Sequence, residues 1–147
     1  MSTDRNGTTD LFDIFGRNLD KAENGVWVNA PRGDLRCLIA RSGNPHHKEV
    51  SRRLLAPYQD QVDRGTLSDE DNERITIRAM AESLLLDWEN MTLSNDKGEK
   101  KAVKYTREAA IKVLSDPVFE DFKNWVAVQA SNQELFRIRA MDAAAKN

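Results

Sequence analysis

Two adjacent histidines, one cysteine, an acidic run and a lysine cluster are the side chains of this sequence with chemistry to offer. His46 and His47 are its only histidines. Neighbours on a helix point about 100° apart, which makes the pair a poor chelate. No second His or Cys stands at ligand spacing, so both read as surface or first-turn residues and no metal is expected. Cys37 alternates with Leu35 and Ile39, the spacing of a strand with one buried face. A thiol there reads as a small buried hydrophobe, not a nucleophile. The carboxylates between Asp60 and Glu73 lack the Gly-centred loop and closing Glu of an EF-hand; they read as a solvated linker running into a helix N-terminus. Lys97, Lys100, Lys101 and Lys104 form a basic loop with one neighbouring aromatic, Tyr105, a thin basis for binding nucleic acid. No Ser/His/Asp, Cys/His or paired-carboxylate arrangement emerges. The chain therefore reads as a non-enzyme, with no catalytic residue and no cofactor.

The bulk properties agree with that reading. The 147 residues suit one domain with an arm. A net charge of -2 supplies no global basic field for nucleic acid. A lone cysteine rules out an intrachain disulfide and suits a reducing compartment. The first residues carry no basic-then-apolar leader, and no apolar run approaches the roughly 20 residues of a membrane span.

The elements that would position these side chains can be read in order. Residues 1–24 are expected to form a flexible N-terminal arm, polar apart from the apolar cluster Leu11-Phe12-Asp13-Ile14-Phe15. Residues 25–41 read as a β-hairpin: Val26 and Val28 share one strand face, Pro31-Arg32-Gly33-Asp34 carries turn chemistry, and Leu35, Cys37 and Ile39 follow. Trp27 points away from Val26 and Val28 and is expected to cover the helical layer. Asn44-Pro45 is a cap followed by a first-turn proline. That helix carries Val50, Leu54 and Tyr58 on one face, and Pro57 ends or kinks it near Ala56. Ser68 before Asp69-Glu70-Asp71 opens the next helix, expected over about 68–90, with Ile77, Met80, Ala81, Leu84 and Trp88 as its apolar stripe. Residues 92–104 read as a loop turning at Asn95-Asp96-Lys97-Gly98. Thr106 caps a short helix to about Ser115, and Asp116-Pro117 starts another with Val118, Phe122, Trp125 and Val126 buried. Ser131 with Glu134 matches a capping box, and a last helix, or a continuation of the previous one, carries Leu135, Ile138 and Met141.

The expected fold class is thus mainly α: a bundle of four to five helices preceded by an N-terminal β-hairpin, in one domain over 25–147. Trp88, Phe119, Phe122, Trp125 and Phe136 sit at helical spacing, and core packing is their default. Aromatics also anchor interfaces. The partner-binding candidates are Leu11, Phe12, Ile14, Phe15, Trp27, Trp88 and Phe136.

Several segments, in order, resemble the tail assembly chaperones of long-tailed bacteriophages. They are Gly25-Val26-Trp27-Val28; Ile39-Ala40-Arg41 running into Gly43-Asn44-Pro45; Leu54-Leu55-Ala56-Pro57-Tyr58; and Leu85-Leu86-Asp87-Trp88. Tyr105-Thr106-Arg107-Glu108, Leu114-Ser115-Asp116-Pro117-Val118-Phe119 and a closing Phe136 before Ala143-Ala144-Ala145-Lys146-Asn147 follow. Order and spacing over about 25–147 carry the likeness, and no single motif decides it.

The resemblance implies a non-enzymatic protein of the host cytoplasm, absent from the mature virion. It would bind the long, apolar, helical tape measure protein and keep it soluble until tail tube subunits assemble around it. It also implies recruitment of the tail tube protein through a frameshifted C-terminal extension; Ala145-Lys146-Asn147 is compatible with an A-rich slippery codon run. A hairpin edge offers self-association, so a homo-oligomer is expected. The alternative is a structural head–tail connector or minor tail protein retained in the virion. A helical DNA-binding regulator using the Lys97–Lys104 loop is a weaker option. Neither nucleic acid nor membrane is an expected partner.

Overall fold

The computed structural model describes residue 8 and residues 10–139. The chain runs α1 (Leu11–Phe15), α2 (Leu19–Asn24), β1 (Val26–Asn29), β2 (Arg36–Ile39), α3 (Pro45–Leu55), α4 (Gln59–Arg64) and α5 (Asp69–Ser83). It continues through β3 (Leu85–Glu89), β4 (Thr92–Ser94), β5 (Lys100–Ala102), α6 (Arg107–Ser115) and α7 (Glu120–Ala130). Short 3-10 turns occupy Ala56–Tyr58, Pro117–Phe119 and Gln133–Phe136.

Helix starts follow the caps in the sequence. Asn44, Ser68 and Thr106 each accept a hydrogen bond from the backbone N–H three residues on, satisfying a donor that the first helical turn leaves free. The first turn of α5 adds Asp69, Glu70 and Asp71 at the positive end of the helix dipole. Gly65, left-handed at φ 67°, closes α4. Helix α3 ends at Leu55 as Pro57 enters the 3-10 turn.

An antiparallel three-stranded sheet, ordered β1-β2-β3, packs one face on α5, α6 and α7. Val28, Cys37 and Trp88 lie in register on that face. Ile39 and Leu85 join them against Met80 of α5, Leu84 just after it, Val113 and Leu114 of α6, and Val126 of α7. Helix α3 packs along α5. A second sheet pairs β4 with β5 as a hairpin, closed by Asn95 N–H to Glu99 O at 2.9 Å.

The fold is therefore an α+β mixture, with five antiparallel strands in two sheets among the described residues, not a mainly α bundle with one hairpin. The helix expected to run to about residue 90 stops at Ser83, and Leu85–Glu89 becomes the third strand beside β2. The loop expected over 92–104 contains the β4–β5 hairpin. The proposed capping box does not form: Ser131 ends α7, and Asn132 caps the turn Gln133–Phe136. Leu135 therefore lies in a short 3-10 turn, Ile138 follows it outside any helix, and Met141 lies outside the described residues.

Two burial expectations also change. Val118 is 80% exposed because the tight Pro117–Phe119 turn rotates it outward, while Phe119, Phe122 and Trp125 pack against the core. Trp27 alternates with the core-facing residues of β1 and lies on the outer face of the sheet, its ring 4.6 Å from the Arg36 guanidinium.

Candidate partner-binding surface

The two ends of the described chain meet. Ile138 N–H donates to Gly16 O at 3.0 Å and Asn18 N–H to Phe136 O at 2.7 Å, framing an antiparallel bridge between Arg17 and Arg137. Gly16 makes the turn possible, because a Cβ there would stand 2.5 Å from Phe12 O. Asn18, 5% exposed, caps α2 by accepting from Lys21 N–H at 3.1 Å. Ala22, 2% exposed, accepts from Arg41 N–H at 2.8 Å. Residues 16–24, assigned to the arm by sequence, are thus tied to the domain.

Helix α1 is different. Asp10 caps it by accepting from Phe12 N–H at 3.0 Å, yet it buries no residue. Leu11, Phe12 and Phe15 are 71%, 69% and 63% exposed, and Leu19 at the start of α2 is 74% exposed. Ile138 is exposed beside them and Ile14 is half-buried. Four large apolar side chains in nine positions facing water is the pattern of an interaction surface.

The structure brings together Leu11, Phe12 and Phe15 of the sequence-derived candidates. Trp27 is half-buried on the sheet's outer face, apart from the core. Trp88 and Phe136 lie in the interior, at 5% and 0% exposure, and build the fold. Leu19 was missed, although it stands four residues after Phe15 and eight after Leu11, the spacing of one helical stripe.

Three arginines border the patch. Arg137 packs its guanidinium 5.8 Å from the Phe15 ring, and Arg17 is its bridge partner. Burial, then the charges of Arg17 and Arg137, hold Arg41 below the ordinary arginine range.

Two further concavities carry less chemistry. A groove of about 310 Å³ between α3, α5 and α7 has an apolar floor including Leu55, Ile75 and Met80, with His47 and Ser51 on its rim. His47 Nδ1 accepts from Gly43 N–H at 2.9 Å; burial, then the charge of His46, push its pKa down, which fits a ring that accepts there. A wider cleft of about 990 Å³ beside the β4–β5 hairpin mixes Asp34 and Asp87 with Lys100 and Lys104. Among the described residues no group of three or more His, Cys, Asp or Glu is placed to hold a metal, and no helix is long and apolar enough to cross a membrane.

Cys37 is fully buried, and burial pushes its thiol up to about 12. The thiolate is the reactive form. Cys37 should therefore resist a thiol-directed reagent at pH 8 in the native protein and react promptly in denaturant, as absorbance of the released chromophore will report. Prompt native labelling would place it outside the core.

Comparison with known families gives one finding. The model of a family described as YdaY prophage protein matches residues 42–147, more than two-thirds of the chain. The match begins after the β1–β2 hairpin and leaves out the exposed Leu11–Leu19 segment. Neither a curated protein nor a solved structure matches.

Proposed function

This chain belongs to the YdaY prophage protein family, and from that phage origin we propose that it is a tail assembly chaperone for the tape measure protein. The observation that carries the reading is the exposed apolar surface of Leu11, Phe12, Phe15 and Leu19. A long apolar helical client needs such a surface to shield it from water, and a carrier with 31% charged residues can keep the complex dissolved.

The segments that carry the chaperone resemblance fit this reading by building the scaffold. Trp88 meets Tyr105 edge to face at 4.9 Å and donates from Nε1 to Val103 O at 2.7 Å. Tyr105 OH donates to Leu85 O at 2.7 Å. Two segments widely separated in sequence, Leu85–Trp88 and Tyr105–Glu108, thus lock against each other.

The protein acts without catalysis in the bacterial cytoplasm and stays out of the finished particle. Copies associate through β1, an edge of the three-stranded sheet, to coat a repetitive client. Recruitment of the tail tube protein through a C-terminal extension belongs to the same proposal; residues 140–147 lie outside the described structure.

Quantitative mass spectrometry of induced lysates and purified particles tests the role. The chaperone is expected to be abundant in the lysate and absent from particles. Stoichiometric copies in particles would instead support a head–tail connector or minor tail protein.

A further inference from the structure

The arginines beside the apolar patch have chemistry that the apolar surface alone does not use. Arg17 and Arg137 are directly paired across an antiparallel bridge, so their side chains leave the same face. Arg41 is tethered to this corner by its backbone bond to Ala22 O, and Ser42 N–H donates to Ala130 O at 2.9 Å. Burial first, and then the nearby charges of Arg17 and Arg137, disfavour the charged form of Arg41.

Of these three arginines, Arg137 alone has an ion-pair partner among the described residues, Glu134. Among the described residues, Arg17 and Arg41 have no carboxylate within ion-pair distance. Arg137 donates to Gln133 Oε1 at 3.1 Å and is ion-paired with Glu134 at 3.5 Å, although its buried Nε makes no hydrogen bond. A guanidinium without a carboxylate partner, as at Arg17 and Arg41, is stabilised by an incoming carboxylate, which its planar donor pair matches.

We propose that Arg17, Arg41 and Arg137 form an anion-receiving corner of the apolar surface, so that the segment bound there is an amphipathic helix carrying Asp or Glu beside its apolar stripe. This rests on the reading of Leu11–Leu19 as the client surface and specifies what kind of helix it takes. Nucleic acid fits less well, because bases offer no aliphatic stripe to the exposed Leu11 and Leu19.

Fluorescence anisotropy with the full chain tests it. The probes are two synthetic helical peptides sharing one leucine stripe, with Glu or Gln at the remaining positions, and a single-stranded oligonucleotide. At low salt the Glu peptide should bind about tenfold tighter than the Gln peptide. The double variant Arg17→Gln/Arg41→Gln should erase that preference while leaving the melting temperature and Gln-peptide affinity unchanged. Equal affinity for both peptides, or a preference that survives in the variant, overturns the proposal and leaves the apolar reading standing. Tighter binding of the oligonucleotide than of the Glu peptide overturns it in favour of nucleic acid. Binding of neither peptide overturns both the proposal and the apolar reading.

Discussion

Trp88→Ala should destabilise the protein by about 3–5 kcal/mol, the usual cost of emptying a large aromatic site in a core. Against a typical total of roughly 5–15 kcal/mol, that consumes much of what holds the fold. Trp88 is 5% exposed and lies level with Cys37 in the sheet, under Tyr105. Its indole N–H ties β3 to the segment leaving the second hairpin, through Val103 O. Losing it would leave a cavity and an unpaired carbonyl together. Trp88→Phe keeps most of the volume and should cost about 1–3 kcal/mol, reflecting the lost hydrogen bond. Urea unfolding followed by circular dichroism measures both. An alanine variant with an unshifted midpoint would mean that Trp88 does not anchor the core.

Phe136→Ala should cost a similar amount, about 3–5 kcal/mol, with an added local consequence. Phe136 is fully buried, and its backbone oxygen accepts the hydrogen bond from Asn18 N–H. The 3-10 turn Gln133–Phe136 is the support on which α2 rests. Emptying the site should free residues 16–24, so trypsin should cut after Arg17 and Lys21 much faster than in the wild type. Mass spectrometry of the early fragments reads this directly. Unchanged cleavage at those two sites would mean that Phe136 does not secure the N-terminal segment.

Local signals in the sequence marked the helix starts well. Asn44-Pro45, Ser68, Thr106 and Asp116-Pro117 each cap an element where their chemistry places one. The β1–β2 hairpin was equally readable from its alternation and turn residues. The third strand was not, for a specific geometric reason. A bulge lies in the β2–β3 pairing, with Ile39 opposite Leu85 but Leu38 opposite Asp87. The extra residue puts Leu85 and Trp88 on one sheet face although they are three apart, which imitates the spacing of a helix. Leu84 and Trp88 therefore extended the stripe of α5 on paper while belonging to its exit and to the strand.

The β4–β5 hairpin escaped for the opposite reason. Thr92–Ser94 and Lys100–Ala102 bury almost nothing, so no apolar alternation betrayed them. Exposure of Leu11, Phe12 and Phe15 was likewise illegible, since an apolar cluster at helical spacing reads the same whether covered or bare. Trp88 and Phe136 show the reverse case: aromatics that could have anchored a partner are used by the core. The arginine corner joins residues 17, 41 and 137, and only the folded chain brings them together.

The central claim is that the bare apolar surface takes up the tape measure protein. Co-expression with the tape measure protein of the same prophage, followed by separation of soluble from pelleted material, tests it most directly. Four changes, Leu11→Ser, Phe12→Ser, Phe15→Ser and Leu19→Ser, remove the surface. They should leave the fold's own melting temperature nearly unchanged, because these side chains are mostly in water. The expected result is a soluble complex with the wild-type chain and a pelleted tape measure protein with the variant. A tape measure protein that the wild-type chain leaves in the pellet, or that the variant keeps in solution equally well, would contradict the account.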